Sequence, residues 1–295
     1  MRLATLLLDG RETVCCVSSD GNCCWPATTL GGEPFAGMVD LIRRVSATPE
    51  AAPAATPAGA AIPLDPAMLR APLVPGRNIM CVGKNYGDHV REFAQSGFDS
   101  SGGKGADAIP DAPIIFTKAP ETVIGPGEPI RIPRGLSDQV DYEAELAVVI
   151  GKGGRGIARE QAMEHVFGYT IVNDVTARDL QLKHRQWFLG KSIDGFCPMG
   201  PWIVTADELD ASNIAIQCRI NGELRQDART ADLIFDIPAL IACISAGMAL
   251  KPGDVIATGT PAGVGAGFTP PRFLAPGDLV SIEIEGIGRL ENPVA

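Results

Sequence analysis

The run Asp141-Tyr142-Glu143-Ala144-Glu145-Leu146-Ala147-Val148-Val149-Ile150 limits what this chain can become more than any other stretch. Its apolar, β-branched end, closed by Gly151, reads as a strand. Strand side chains alternate, so Asp141, Glu143 and Glu145 are expected on one face. Carboxylates held that close repel one another and cannot be buried without a positive partner. Oxygen-only donors at close spacing suit a hard divalent cation, Mg²⁺ first and Mn²⁺ or Ca²⁺ next. The competing reading is an edge strand whose acidic face meets solvent.

A chain of 295 residues, 45% of them hydrophobic, can bury a sizeable core as one large domain or a large one plus a small one. No apolar run reaches membrane-spanning length, and no charged-then-apolar signal segment opens the chain, so a cytoplasmic protein is expected. The net charge of −10 argues against nucleic acid, whose affinity comes mainly from Lys and Arg on phosphates. The eight cysteines include the adjacent pairs Cys15-Cys16 and Cys23-Cys24, which fit no usual zinc spacing and read as reduced thiols in an apolar hairpin.

Residues 1–45 read as a small β-rich unit, with a turn at Asp9-Gly10 between two apolar strands. Residues 47–75, rich in Ala and Pro, read as a linker or loose cover. The division drawn is 1–70 for the N-terminal unit with its linker and 71–295 for a metal-dependent catalytic domain. Residues 94–112 are Gly- and Ser-rich, and a loop of that length in a compact domain suggests an active-site lid. Further on, strands outnumber helices, which predicts an α+β, β-dominated fold rather than a doubly wound sheet. Gly151-Lys152-Gly153-Gly154-Arg155-Gly156 matches the dinucleotide fingerprint GxGxxG, but no βαβ series flanks it, so it is read as a tight turn.

Asp174 ends a strand one crossover after the acidic run, where neighbouring strands commonly lie side by side. It is then a third carboxylate for an ion held by Glu143 and Glu145; the alternative is a helix cap or Asx turn. His89 and Glu92 are three apart and share a face if their turn is helical. A carboxylate beside an imidazole fixes its tautomer and frees the other nitrogen to take a proton, although an exposed helix pair has the same spacing. Arg178, Gln181 and Lys191 supply donors for a carboxylate or oxyanion. The small-residue loop Ala257–Gly265 lets backbone approach a ligand closely. His165 and His184 read as structural.

These pieces occur together, in this order, in one family. From about Pro75 to Pro293 the chain resembles the fumarylacetoacetate hydrolase family, through GKNYGDHVRE, PIIFTKAP, VIGPG, DYEAELAVVIG, GYTIVNDVTARDLQ, GKSIDGFCPMGP, FDIPALIACISAG, PGDVIATGTPAGVG and PGDLVSIEIEGIGRLEN. The resemblance implies a mixed β-sandwich or roll with a few short helices, usually a homodimer, with Mg²⁺ or Mn²⁺ on Glu143, Glu145 and Asp174 and with Asp141 behind them. It implies a catalytic His89–Glu92 dyad with Lys191, and substrate contacts from Arg178, Gln181, Thr260 and Tyr86. Residues 1–70 match no part of the family pattern, and the 94–112 loop is longer than in its compact members.

The activity expected from this resemblance is hydrolysis of the C–C bond of a 2,4-dioxo acid, an acylpyruvate or fumarylpyruvate, with His89 activating water and pyruvate leaving as its enolate. The alternatives are an oxaloacetate-type decarboxylase or an enol–keto isomerase of a 2-hydroxy-dienedioate, which need the same enolate and no water. A nucleotide-dependent oxidoreductase built on the glycine motif and a non-catalytic metal-stabilised protein are the rivals outside that chemistry. The expected partner is a small oxo acid, not nucleic acid or membrane.

Overall fold

The computed structural model of the protein describes residues 1–29, 32–47, 60–98 and 109–295. Along the chain lie β1 (Arg2–Leu8), β2 (Arg11–Val17), β3 (Cys23–Pro26), α1 (Met38–Ala47), β4 (Ile62–Pro63), β5 (Leu69–Arg70), β6 (Ile79–Gly83) and α2 (Gly87–Ser96). Then come β7 (Ile114–Lys118), β8 (Val123–Ile124), β9 (Val140–Asp141), β10 (Ala144–Ile150), β11 (Val166–Asn173), β12 (Thr176–Ala177), α3 (Arg178–His184) and α4 (Phe188–Lys191). The rest is β13 (Cys197–Thr205), β14 (Ala215–Ile220), β15 (Glu223–Arg229), α5 (Ile237–Gly247), β16 (Val255–Ala257), β17 (Leu279–Ile284) and β18 (Gly288–Pro293).

Among the described residues, one large sheet runs in the order β4-β3-β2-β1-β13-β11-β10-β16-β6-β7, with β5 against β1 and β8 against β13. A second sheet is the antiparallel set β15-β14-β17-β18. The expected β-dominated α+β architecture is what forms. Strand alternation decides what lies between the layers. From β10, Ala144, Leu146, Val148 and Ile150 face Ile216, Cys218, Val280 and Ile282 of the second sheet. Ala147 and Val149 face the other way, onto a second core with Leu41 and Ile42 of α1. Both faces of β10 are therefore buried, and the acidic row does not meet solvent.

The acidic run is not one strand, as its alternation suggested. β9 ends at Asp141 and pairs with β12, and β10 starts only at Ala144. Side chains take the place of ladder partners at the break: the amides of Tyr142, Glu143 and Ala144 donate to Asp141 Oδ1, Asn173 Oδ1 and Gln226 Oε1 at 2.9, 3.0 and 3.0 Å. The kink turns Asp141 away from Glu143 and Glu145.

The N-terminal hairpin forms as expected. Asp9 and Gly10 both have positive φ, 48° and 77°, the geometry of a two-residue primed turn. Its first strand, however, pairs with β13 through Arg2↔Val204 and Leu3↔Ile203, so one sheet crosses residue 70. The expectation of a loose cover at 47–75 does not hold over 60–75: β4 and β5 pair into the sheet, and Leu69 and Leu73 are buried. Residues 48–59 of that stretch lie outside the described residues, as do 99–108 of the proposed lid. The cysteines are free, and burial pushes the Cys15 thiol up to about 12.

The glycine motif is a packing turn. β10 and β11 on either side of it are antiparallel, and Gly154 exchanges backbone hydrogen bonds with Leu250. His165 is buried there, its Nδ1 2.7 Å from the Lys152 carbonyl. No helix of the described residues is long and apolar enough to cross a membrane.

Candidate active site

The β10–β11 register, Ala144↔Asn173, carries Asp174 to the end of the acidic strand, where its amide donates to the Glu143 carbonyl at 2.9 Å. Val172 faces the same core as Ala147 and Val149, so by alternation Asp174 falls on the face of Glu143 and Glu145. One oxygen from each of these three carboxylates lies within 4.8 Å of the others, and all three residues are buried.

Cations surround them. Lys191 Nζ donates to Glu143 Oε2 and Asp174 Oδ2, each at 2.7 Å. Arg178 Nη1 is 2.7 Å from Glu143 Oε1, and its Nε is 2.8 Å from Asp141 Oδ2. Lys118, at the end of β7, is fully buried; its Nζ donates to Val175 O at 2.9 Å and stands 2.7 Å from Asp174 Oδ1, a charge contact without hydrogen-bond geometry. α3 places Arg178 and Gln181 on one face, with Arg178 Nη1 also donating to Gln181 Oε1 at 3.1 Å. α4 brings Lys191 beside them because Gly190 has no side chain: a Cβ there would stand 2.6 Å from Gln181 N.

The electrostatics split the three acids. Burial pushes Glu143 up, but Lys191 and Arg178 hold it down at about 2. Glu145 is raised well above the carboxylate range by burial, then by Asp174 and Glu143. Its Oε2 accepts from Gly259 N at 2.8 Å, and that bond and the charge of Lys191 only partly offset the rise. Burial opposes the charge on Lys191, but Asp174 and Glu143 outweigh it and raise its pKa. Four buried carboxylates, Asp141 included, thus lie among the buried cations Lys118, Arg178 and Lys191, and the buried Lys84 lines the same cavity. A divalent ion suits this set, since the donors of Glu143, Glu145 and Asp174 are all oxygen and close together. The residues fit such an ion, and Lys191 would have to share Glu143 and Asp174 with it.

His89 and Glu92 share the face of α2 as expected, with His89 Nδ1 3.5 Å from Glu92 Oε2. A cavity of about 20 Å³, room for about one water, is lined by His89, Glu143, Glu145, Arg178, Gln181, Lys191 and Thr260, with Phe93, Phe116 and Trp187 as its apolar wall. A ligand larger than water therefore requires these side chains to part. Tyr86 does not line this cavity: it is the N-cap residue of α2 and lines a neighbouring one with Asp88, Asp227 and Asp232, close enough to Glu145 that burial and that carboxylate raise its pKa. A larger groove of about 650 Å³, lined by Tyr169, Leu233, Phe235 and Ile237 among others, contains none of the expected site residues.

Residues of the arrangement that were not picked out from sequence include Lys84 and the apolar wall of the cavity, and also Lys118 and Gln226. Lys118 closes the short strand β7, and although it falls within the stretch PIIFTKAP it was given no role. Gln226 bonds Thr260 Oγ1 at 2.7 Å and the Ala144 amide, and sits in an alternating strand that gives no hint of it. The small-residue loop 257–265 does bring backbone close to something, but to the chain's own carboxylates Glu145, Glu92 and Asp141.

The family model described as fumarylacetoacetate (FAA) hydrolase C-terminal matches residues 78–295. The chain is 51% identical over 228 residues to a Bacillus subtilis protein named oxaloacetate tautomerase YisK, covering 77% of this chain and 72% of that one. Its structure is similar to a fumarylacetoacetate hydrolase from Exiguobacterium antarcticum, with a TM-score of 0.84 and 42% identity over 100% of this chain and 99% of the other. It is also similar to a 5-carboxymethyl-2-hydroxymuconate delta-isomerase from Mycobacterium smegmatis, with a TM-score of 0.76 and 36% identity over 100% and 98% of the two chains.

Proposed function

This chain belongs to the fumarylacetoacetate hydrolase family of enzymes, and on that premise we propose that it interconverts the enol and keto forms of a short 2-oxo dicarboxylate such as oxaloacetate, with Mg²⁺ or Mn²⁺ as cofactor. The observation that carries this reading is the 51% identity to a protein named for that activity. It displaces C–C hydrolysis, the first expectation from sequence, as the main reading.

The site chemistry agrees with it. Glu143, Glu145 and Asp174 would hold the cation, which would supply Lewis acidity toward the substrate's oxygens. A bound divalent ion would add positive charge beside Arg178 and Lys191, which suits an anion. Arg178 Nη2 is buried and has no hydrogen-bond partner among the described residues, so it offers a donor to a substrate carboxylate beside Gln181. Glu92 faces His89 Nδ1 and leaves Nε2 as the base. A proton passes from C3 to Nε2, the C–H electron pair becomes the C2–C3 double bond, and Lys191 Nζ offers an N–H to the charge gathering on the C2 oxygen. Nε2 then gives the proton to the C2 oxygen, which yields the enol and restores the neutral imidazole; the reverse direction takes the enol O–H proton and returns it to C3, and no water is consumed.

The test follows the enol absorbance of oxaloacetate with purified protein and Mg²⁺. Enol decay well above the buffer rate is expected, and His89→Ala should slow it by about 10²–10⁴-fold. Absence of any acceleration would sink the reading. Hydrolysis remains the second reading, favoured by the likeness to the Exiguobacterium hydrolase. Pyruvate release from an acylpyruvate at a rate exceeding enol decay would select it.

A further inference from the structure

The segment Gly263–Gly267 leaves the loop after β16 and meets the site through two carboxylates on different elements. Gly263 N donates to both oxygens of Glu92, at 3.0 and 3.1 Å. Gly265 N and Ala266 N donate to Asp141 Oδ1 and Oδ2, at 2.6 and 2.9 Å. Each carboxylate has a working partner on its other side: Glu92 faces His89, and Asp141 accepts from Arg178 Nε. Four consecutive residues therefore hold the far ends of both the imidazole arm and the guanidinium arm.

The segment is itself held firmly. Tyr142 Oη donates to the Gly263 carbonyl at 2.9 Å. Val264 and Ala266 are buried against Phe93 of α2, whose ring lies 5.5 Å from the His89 ring and 5.1 Å from Arg178 Cζ. At Gly267 a Cβ would stand 2.2 Å from the Glu92 carboxyl carbon, so the carboxylate occupies the space a side chain would need. The amides here bind side chains of the protein rather than a ligand.

We propose that Gly263–Gly267 is a positioning segment that sets His89 through Glu92 and Arg178 through Asp141, keeping the proton-transfer arm and the carboxylate-binding arm in fixed relation. The roles given to those two arms rest on the tautomerase reading above; the anchoring itself does not. Gly267 acts only by leaving room for Glu92, and it touches no substrate.

The experiment is a cycle between Gly267→Ala and Glu92→Ala in the Mg²⁺-loaded protein. Gly267→Ala alone should lower kcat for oxaloacetate enol decay by about 10–100-fold, the cost of a small misplacement of a catalytic group, while KM and Mg²⁺ affinity hold. In the Glu92→Ala background, where the carboxylate is gone, the same substitution should cost nothing further. A readout independent of turnover is ¹⁵N NMR of the imidazoles, with the His89 signal identified by its loss in His89→Ala. Gly267→Ala should change the His89 tautomer signature and leave His165 and His184 unmoved. Should Gly267→Ala alone fail to fold, folding of the double variant would support the proposal and its failure would overturn it. Full activity with an unchanged His89 signal, or an equal loss in both backgrounds, would also overturn it. If the wild type does not act on oxaloacetate, the tautomerase reading fails, and the His89 signal still decides the role of the segment.

Discussion

Lys118 and Glu145 are buried charges with opposite problems, and each makes a prediction at the scale of one side chain. Lys118 is fully buried and spends its charge on Asp174 and two carbonyls. Lys118→Met removes the partner and leaves Asp174 with Lys191 alone. Breaking a buried ion pair from one side costs about 3–5 kcal/mol. Urea unfolding in EDTA should show a loss of that size, and Mg²⁺ should restore part of it by supplying positive charge beside Asp174. Glu145 is the reverse case, a carboxylate that burial and its acidic neighbours push toward the protonated form. Gln is nearly isosteric with a protonated Glu, so Glu145→Gln should leave the melting temperature in EDTA little changed and abolish the rise on adding Mg²⁺. A variant with the wild-type rise would remove Glu145 from the metal set. The acidic residues were legible in sequence because three carboxylates in an apolar setting are conspicuous. Lys118 was not, since one Lys at a strand end looks the same buried or exposed until β7 is placed.

At the scale of elements, the site depends on how closely α4 approaches α3. Gly190 permits that approach, since a Cβ there would stand 2.6 Å from the Gln181 amide nitrogen and 2.9 Å from the Ala177 carbonyl oxygen. Gly190→Ala must push α4 outward, at the cost of about 1–3 kcal/mol usual for an over-packed contact. Because Lys191 follows directly, the variant should also lose enol–keto turnover in greater proportion than stability. Thermal melts and kcat measured together check this, and full turnover with a lowered melting temperature would show that Lys191 tolerates displacement. The strand positions were largely readable from β-branched runs and turn residues. The break between β9 and β10 was not, because it depends on Asn173 and Gln226, side-chain acceptors from other elements that replace ladder partners.

For the whole molecule, β1 raises a question of independence. Its pairing with β13 and the complete burial of Leu3 and Leu6 tie the first residues into the main sheet. A chain comprising residues 71–295 would expose the β13 edge and the apolar side chains beneath it. It should aggregate or melt well below the full-length protein, as light scattering and calorimetry would show. Equal solubility and melting temperature would establish that the catalytic region stands alone. In sheet order β1 and β13 lie beyond β11 from the carboxylates, so the loss should be one of stability before it is one of metal affinity.

The burial of the acids was settled by the layers around β10, while the sequence by itself determined the strand-dominated class, the nearness of Glu143, Glu145 and Asp174 and the facing of His89 by Glu92. Each follows from local periodicity, which needs only the 2- or 3.6-residue repeat of one or two elements. Tertiary structure alone decided that Glu145 is raised while Glu143 is lowered, that Lys118 enters the site, that Asp141 pairs with Arg178, and that the glycine-rich loop serves carboxylates of the chain. Those outcomes depend on charges and amides that are 30 to 170 residues apart along the chain. Their meeting is set by sheet order and packing, which no local pattern encodes.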